Sequence, residues 1–514
     1  MGRRNRIEPF TAEMTMLDAA TDGRAVARHE NQVVFVEGGV PGDVALVHVF
    51  RTEKKLLIGR VVELITPSPQ RVAAACQHVD LCGGCKWQHL SYEGQLTFKE
   101  NQVKQVFKRI AKMDTGEFLP ILGSDPVFYY RNKTEFSFST ERWIVDRDSE
   151  PADADQRALG YHIARSFSKV MDIEECLLHH PDTNAIRNEV RVFARAKNYT
   201  FHDHKNHGGL LREIAFKTSV HTGELMVMLV IGEDGSKAHK AVDDIFTHLE
   251  GLFPAITHFV WIVNQKNNNF YTDLPANIWK GSEYLTEALG PHRFRIRPTS
   301  FFQTNPRQAV VLYDVVKDFL LEVIGGPDKK IDILYDLYSG TGSIGIHLKN
   351  WANHVVGIEY VESAVQDARE NLKENGLTEG FSFYAGDMKD LLTHDLVAKE
   401  GSPQVIVADP PRQGMAPQVV QRLIEMQAPW IIYVSCKPST QARDIAMMQD
   451  YYEIVKLQPV DMFPHTAHVE NVALLKLKDV LPAFIEKVRV PEEAGIREFT
   501  ILNPTTIAKL EGNS

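Results

Sequence analysis

The spacing of apolar and polar positions changes character along the chain. In residues 13–66 short apolar runs alternate with polar positions, as in 32–36, 43–49 and 56–64, with Gly38, Gly39, Pro41 and Gly42 between them. Several short runs separated by glycine and proline predict a small β-barrel. A lysine-rich segment, 92–112, reads as a helix, and 119–289 reads mostly as strands joined by turns.

From residue 331 strand-like and helix-like segments alternate. Strands are expected at 331–338, 354–358, 381–384, 404–408 and 430–434, with helices through 349, over 363–375 and over 417–427. Gly376 sits where a helix C-cap belongs. This β/α alternation predicts a doubly wound parallel sheet, a Rossmann-like α/β domain. The last two strands, 453–458 and 471–478, have no helix between them, which predicts a closing hairpin. Five segments follow: an OB-like barrel (8–66), a cysteine loop with a basic helix (67–118), a strand-rich central domain (119–290), the α/β domain (291–478) and an extension without an assigned role (479–514).

Composition narrows the class. A chain of 514 residues with 44% hydrophobic positions has material for several cores. The net charge of -10 argues against bulk polyanion binding but leaves room for a local basic face. Arg51, Lys54, Lys55 and Arg60 fall on one expected hairpin, either a charged solvated edge or an RNA face. The N-terminus lacks a signal-peptide core and no apolar run approaches a membrane span. The expected compartment is the cytoplasm, where thiols stay reduced.

Four of the five cysteines, Cys76, Cys82, Cys85 and Cys176, have ligand-like spacing. Five and then two intervening residues plus a remote fourth thiol suit an iron–sulfur cluster somewhat better than zinc, which favours paired C-x-x-C knuckles. Cys436 stands apart in Ser435-Cys436-Lys437-Pro438, where a strand is expected to give way to a loop and Pro438 bars further strand pairing. A lone cysteine there is by default a small buried hydrophobe. Its neighbours change that expectation. Gly340-Thr341-Gly342-Ser343-Ile344-Gly345 follows the first α/β strand, and Glu359 ends the next, placed to accept ribose hydroxyls. The loop alone fits an NAD enzyme equally well. Asp387 and Asp409-Pro410-Pro411-Arg412 follow the next two strands, and ligands bind outside such strand ends. A nucleoside pocket without a diphosphate cradle suits S-adenosyl-L-methionine. Glu470 precedes the last strand and comes near Cys436 if that strand returns antiparallel. A thiol nucleophile and a carboxylate base suit methylation at uracil C5, an atom that is not itself nucleophilic. A non-catalytic RNA-binding protein, with Cys436 in the core, is the third alternative.

Across residues 8–478 the order and spacing of these motifs resemble the RNA 5-methyluridine methyltransferases, specifically the RlmD-like branch acting on uracil in 23S ribosomal RNA. Tyr130-Arg131-Asn132-Lys133 and Ser300-Phe301-Phe302-Gln303-Thr304-Asn305 also look like signatures of that family. The resemblance implies a TRAM domain in the barrel and a [4Fe-4S] cluster on Cys76, Cys82, Cys85 and Cys176. It implies S-adenosyl-L-methionine bound by Gln303, Tyr338, Ser343, Glu359, Asp387 and Asp409, with Cys436 as nucleophile and Glu470 as proton acceptor. The partner it implies is RNA, 23S ribosomal RNA before transfer RNA, with no membrane and no protein partner. Ser339 and Thr341 depart from residues common in relatives.

Overall fold

The computed structural model describes residues 7–479 apart from 54–55, 145–149, 152 and 164–165, and beyond them the backbone of two paired strands, Ile485–Glu492 and Gly495–Leu502. Lys54, Lys55 and the rest of the extension lie outside the described residues.

The N-terminal strands form one six-stranded sheet in the order Phe10–Thr15, Val44–Glu53, Leu56–Thr66, Gln32–Glu37, Ala25–His29, Asp18–Ala19. Alternate positions (Val34 and Val36; Ala45, Val47 and Val49) turn inward to a core with Met14, Met16 and Leu57. That period of two is why the run was legible. Arg51 pairs with Glu53 on its own strand, and Arg60 is exposed.

The central region holds an eight-stranded sheet. It also holds two helices the strand-rich expectation missed, Asp182–Ala196 and Ser236–Leu252. The first carries buried Arg187 and Arg191 among its apolar positions, which blurs the helical stripe. Both helices cover one face of the sheet, where Ile186, Val190, Ile245 and Phe246 share a core with Phe136, Phe138 and Phe216. Phe136 and Phe138, aromatics two positions apart, are therefore core. The other face, through Met226, Met228, Val230 and Val260, shares a core with the Pro306–Ile324 helix of the α/β region.

The C-terminal sheet runs Phe381–Ala385, Ala352–Glu359, Ile331–Leu337, Val405–Ala408, Trp430–Ser435, Glu470–Leu477, Tyr452–Val460, with short Glu117–Phe118 at the edge. The first five strands are parallel. Strand order reverses beside Ile331–Leu337, which places a ligand crevice outside the carboxyl ends there. Successive residues feed opposite faces: Leu334, Val355 and Val405 one core, Tyr335, Val356 and Ile406 the other. The sheet is doubly wound, and its last two strands form the expected antiparallel hairpin.

Two local expectations are corrected. The segment after Cys436 is a helix, Pro438–Met447, rather than a loop. Proline opens its first turn, where a missing N–H costs nothing. The lysine-rich helix, Tyr92–Val106, turns Lys99 inward to a buried ion pair with Asp461 at 2.6 Å. That lysine ties the helix to the chain ahead of Glu470 and is no part of a basic face.

Candidate active site

Strand register brings the two proposed chemical groups together. Trp430–Ser435 pairs antiparallel with Glu470–Leu477, and Ser435 lies opposite Asn471. Cys436 and Glu470 flank that last pair, and the Glu470 charge acts on the Cys436 thiol. Gln441 locks the corner: its Nε2 donates to Tyr433 O at 2.7 Å and Asn471 O at 3.0 Å. Asn471 Nδ2 donates back to Gln441 Oε1 at 2.8 Å. Tyr433 donates to Asp444 at 2.7 Å, pinning the following helix to the strand. The thiol thus sits on a rigid corner.

Asp409 enters from the neighbouring strand end, its N–H donating to Leu337 O at 3.3 Å. Four residues of the Asp-Pro-Pro-Arg turn carry the chain back to Arg412, whose guanidinium reaches the Cys436 thiol. Arg412 Nη2 also lies 3.0 Å from the His468 ring nitrogens. Burial and Arg412 push His468 down to about 4, so it meets the guanidinium as a neutral acceptor. The acids behave oppositely. Burial, then Glu470 and Asp409, push the Cys436 thiol up to about 11, against Arg412. Burial and Asp409 push Glu470 up to about 8. Burial raises Asp409 to about 7. Three acidic groups share one cation, and near neutral pH the site holds several of its protons.

The nucleoside side is built from the neighbouring strand ends. Tyr338 adopts a left-handed backbone with φ 61°, turning the chain into Gly340 and Gly342, at φ 52° and 79°. Glu359 accepts from Gly340 N at 3.0 Å and Val361 N at 2.9 Å, one bond per carboxylate oxygen, which leaves each oxygen a further lone pair. A Cβ at Gly340 would meet nothing within 4 Å, so the loop borders open space. Asp336 Oδ1 and Ser339 Oγ are buried without partners beside it. Burial and Asp409 raise Asp336 to about 7, against a 2.9 Å bond from Gly345 N–H. Ser343 shares the Tyr313 hydroxyl, at 2.9 Å, with Gln303. The charges of Glu359 and Asp387 both act on Tyr338. Asp387 caps a short helix and pairs with Lys389 at 2.5 Å, which holds its carboxyl below its ordinary range. Phe301 and Tyr360 are exposed aromatics on the adjoining loops. Open space, orphaned acceptors and a preset carboxylate fit a nucleoside with an amino-acid tail, as S-adenosyl-L-methionine has.

The two signatures prove to be one joint. Asn132 N–H donates to Thr304 O at 2.8 Å and its Nδ2 to Gln303 O at 3.2 Å. Lys217 Nζ donates to Arg297 O at 2.7 Å and Ser300 O at 2.9 Å. The central sheet therefore holds the Gln303 loop by its carbonyls. Asn305 caps the Pro306–Ile324 helix and bonds Met462 O at 3.0 Å. Tyr130 hydroxyl reaches Pro464 O at 3.1 Å.

Cys76, Cys82, Cys85 and Cys176 are free thiols lining one cavity of about 110 Å³ with Arg131 and Tyr161. Burial pushes Cys82 up to about 11 and Cys85 to about 12. Among the described residues no three His, Cys, Asp or Glu side chains stand close enough round one point to hold a metal ion.

The sequence motifs gave no role to Arg412, which closes Asp409-Pro410-Pro411-Arg412, or to His468, two residues before Glu470. They missed Asp336, Tyr313 and Lys217 altogether, since isolated residues in apolar runs give no signal without their partners.

A doubly wound sheet whose strand ends carry this site defines a methyltransferase domain of the S-adenosyl-L-methionine-dependent class. A model of the tRNA (uracil-5-)-methyltransferase family matches residues 279–478, and a TRAM domain model matches 11–62. An uncharacterized RNA methyltransferase of Porphyromonas gingivalis is 41% identical over 90% of this chain and 99% of its own length. Another, of Bacteroides thetaiotaomicron, is 40% identical over 89% of this chain and 100% of its own. The crystal structure of Pyrococcus abyssi tRNA (uracil-54, C5)-methyltransferase with S-adenosyl-L-homocysteine is similar at 27% identity and TM-score 0.68, covering 90% of this chain and 100% of that one. The chain belongs to the RNA (uracil-5) methyltransferase family and is an S-adenosyl-L-methionine-dependent enzyme. The oxidoreductase and non-catalytic alternatives fall with that assignment. Among the described residues no helix is long and apolar enough to cross a membrane.

Proposed function

We propose that the enzyme methylates uracil C5 through a covalent adduct on Cys436. What supports this reading is the antiparallel register, with Ser435 opposite Asn471, which brings the strand ends carrying Cys436 and Glu470 together where Arg412 also acts on the thiol. S-adenosyl-L-methionine, held by Gln303, Tyr338, Ser343, Glu359, Asp387 and Asp409, supplies an electrophilic methyl group. Cys436 as thiolate adds to C6, forming a C–S bond and moving the double-bond electrons onto C5 and O4. C5 then bonds to the methyl carbon as the bond from that carbon to the sulfonium sulfur breaks, and S-adenosyl-L-homocysteine leaves. Glu470 removes the C5 proton, and the electrons of that C–H bond restore the double bond and expel the sulfur.

The charges suit this order. Arg412 favours the thiolate, while protonated Glu470 removes a repulsion that would oppose it. Once the sulfur is bonded to carbon its charge is gone, and Glu470 gives up its proton more readily for its turn as base. Incubation with 5-fluorouracil RNA tests the step, because fluorine at C5 cannot be removed as a proton. A protein–RNA adduct stable to denaturation is expected.

The proposed target is 23S ribosomal RNA, supported by the TRAM-like barrel and the cysteine set. Transfer RNA is the second reading, favoured by the Pyrococcus abyssi relative, named for uracil 54 of tRNA. Mapping 5-methyluridine in both RNA classes from a deletion strain decides between them. Cys76, Cys82, Cys85 and Cys176 are proposed to hold a [4Fe-4S] cluster with a structural role, since methyl transfer moves no electrons. Absorbance near 400 nm in anaerobically purified protein is expected. Stoichiometric zinc in a colourless protein would contradict it.

A further inference from the structure

The histidine-rich turn 202–207 takes no part in the site described above, yet it walls a cavity of about 540 Å³. That volume lies in the ~300–1,000 Å³ range of small-molecule sites. The lining brings together His162, His202, His204 and His207, exposed Phe167, Lys205, and the loop Asn267-Asn268-Asn269.

The walls are built rather than incidental. Arg212 is almost wholly buried, and its guanidinium donates to Asn264 O at 2.7 Å, Lys266 O at 2.6 Å, Asn268 O at 2.9 Å and Asn269 Oδ1 at 3.1 Å. One arginine thereby fixes the asparagine loop through four acceptors. The His202 and His204 rings meet edge-on at 4.7 Å, as do those of His162 and His204. The His204 ring is held by Phe138 O at 3.0 Å. Nδ1 of His162 and of His202 is buried with no partner, and His202 is only 1% exposed. Burial pushes His202 and His204 down to about 4, so at neutral pH they line the cavity as neutral rings. Phe167, 69% exposed, offers an aromatic face at the rim. Lys205 pairs with Glu141, which leaves the mouth close to charge balance.

Side-chain amides on a fixed loop, which both donate and accept, neutral rings in the wall and an open aromatic face match the edge and face of a nucleobase. We propose that this cavity takes one unpaired nucleotide of the substrate RNA, outside the methyl-transfer site, with its base on Phe167 and its edge met by the histidines and asparagines. The proposal rests on the assignment of the chain as an RNA methyltransferase. It makes the central region a second point of grip, selecting RNA that has an extruded base at a fixed distance from the target uridine.

Phe167→Ala and Asn267→Ala test it, both at exposed positions. With RNA from the deletion strain as substrate, each variant is expected to raise the KM for RNA about 10-fold, the effect of losing one stacked or edge-bonded base. The KM for S-adenosyl-L-methionine and the melting temperature should stay unchanged. Ultraviolet crosslinking of the wild-type protein to the same RNA should mark peptides containing 202–207 or 267–269. Unchanged KM for RNA in both variants with no crosslink in those peptides overturns the proposal. So does stoichiometric zinc that His202→Gln releases without any change in RNA affinity. Wild-type protein that crosslinks there but transfers no methyl group would keep the pocket and sink the catalytic reading instead.

Discussion

Two sets of thiols in this molecule are pushed in the same direction by burial and yet face different chemistry. Cys436 is raised to about 11, Cys82 to about 11 and Cys85 to about 12. The shift alone does not tell a nucleophile from a ligand. What differs is the company. Cys436 stands alone on a corner locked by Gln441, with one guanidinium on its sulfur and a carboxyl across the strand gap. The four others line a shared cavity. On the reading proposed above, the single thiol beside a cation and a carboxyl forms and breaks a bond, and the four thiols hold a cluster in place.

The largest expected effect separates the two sets outright. Cys436→Ala should lose methyl transfer by at least about 10⁴-fold while keeping the melting temperature and the absorbance near 400 nm. Cys85→Ser should do the reverse in kind, losing absorbance and melting at a lower temperature. Equal loss of colour in both variants would erase the distinction. Glu470→Gln should slow turnover by about 10²–10⁴-fold and let the methylated adduct accumulate on denaturing gels. Release of product at the wild-type rate would assign the base elsewhere.

Lys217→Met comes next. Removing the amine that holds the carbonyls of Arg297 and Ser300 should raise the KM for S-adenosyl-L-methionine about 10-fold, with kcat and the KM for RNA little changed. Lys217→Arg should not restore it, because a guanidinium does not fit the space of one ammonium. An unchanged KM in the Met variant would show that the Gln303 loop holds its own shape.

The smallest effect is on stability. The Glu470 carboxyl stands at about 8 in the folded chain, above its ordinary value. Below the unfolded value both states are protonated and its contribution is fully present. Between there and about 8 the folded state binds a proton the unfolded state lacks, so stability falls as pH rises. Glu470→Gln should therefore melt a few degrees higher than wild type at pH 9 and no higher at pH 4. A gain of the same size at both pH values would remove the ionisation from the account.

The same comparison shows what the sequence makes legible. The α/β sheet was readable because its strands are continuous apolar runs that end in marked turns: Gly340–Gly345, Asp409–Arg412 and Ser435–Pro438. That the strand ends carrying Cys436 and Glu470 meet was readable because the closing hairpin required an antiparallel return. The first central helix was hidden by buried Arg187 and Arg191, and Pro438–Met447 by reading its proline as the end of a strand rather than the first turn of a helix. Arg412, His468 and Lys217 carry no periodic signal. Their roles exist only where three separate segments meet.

The central claim is that Cys436 forms a bond to uracil C6. Mass spectrometry of the wild-type enzyme after incubation with S-adenosyl-L-methionine and 5-fluorouracil RNA tests it most directly. The account predicts a nucleotide-bearing, methylated peptide with the modification on Cys436, absent in Cys436→Ala. An adduct on another residue, or full methylation activity in Cys436→Ala, would contradict it.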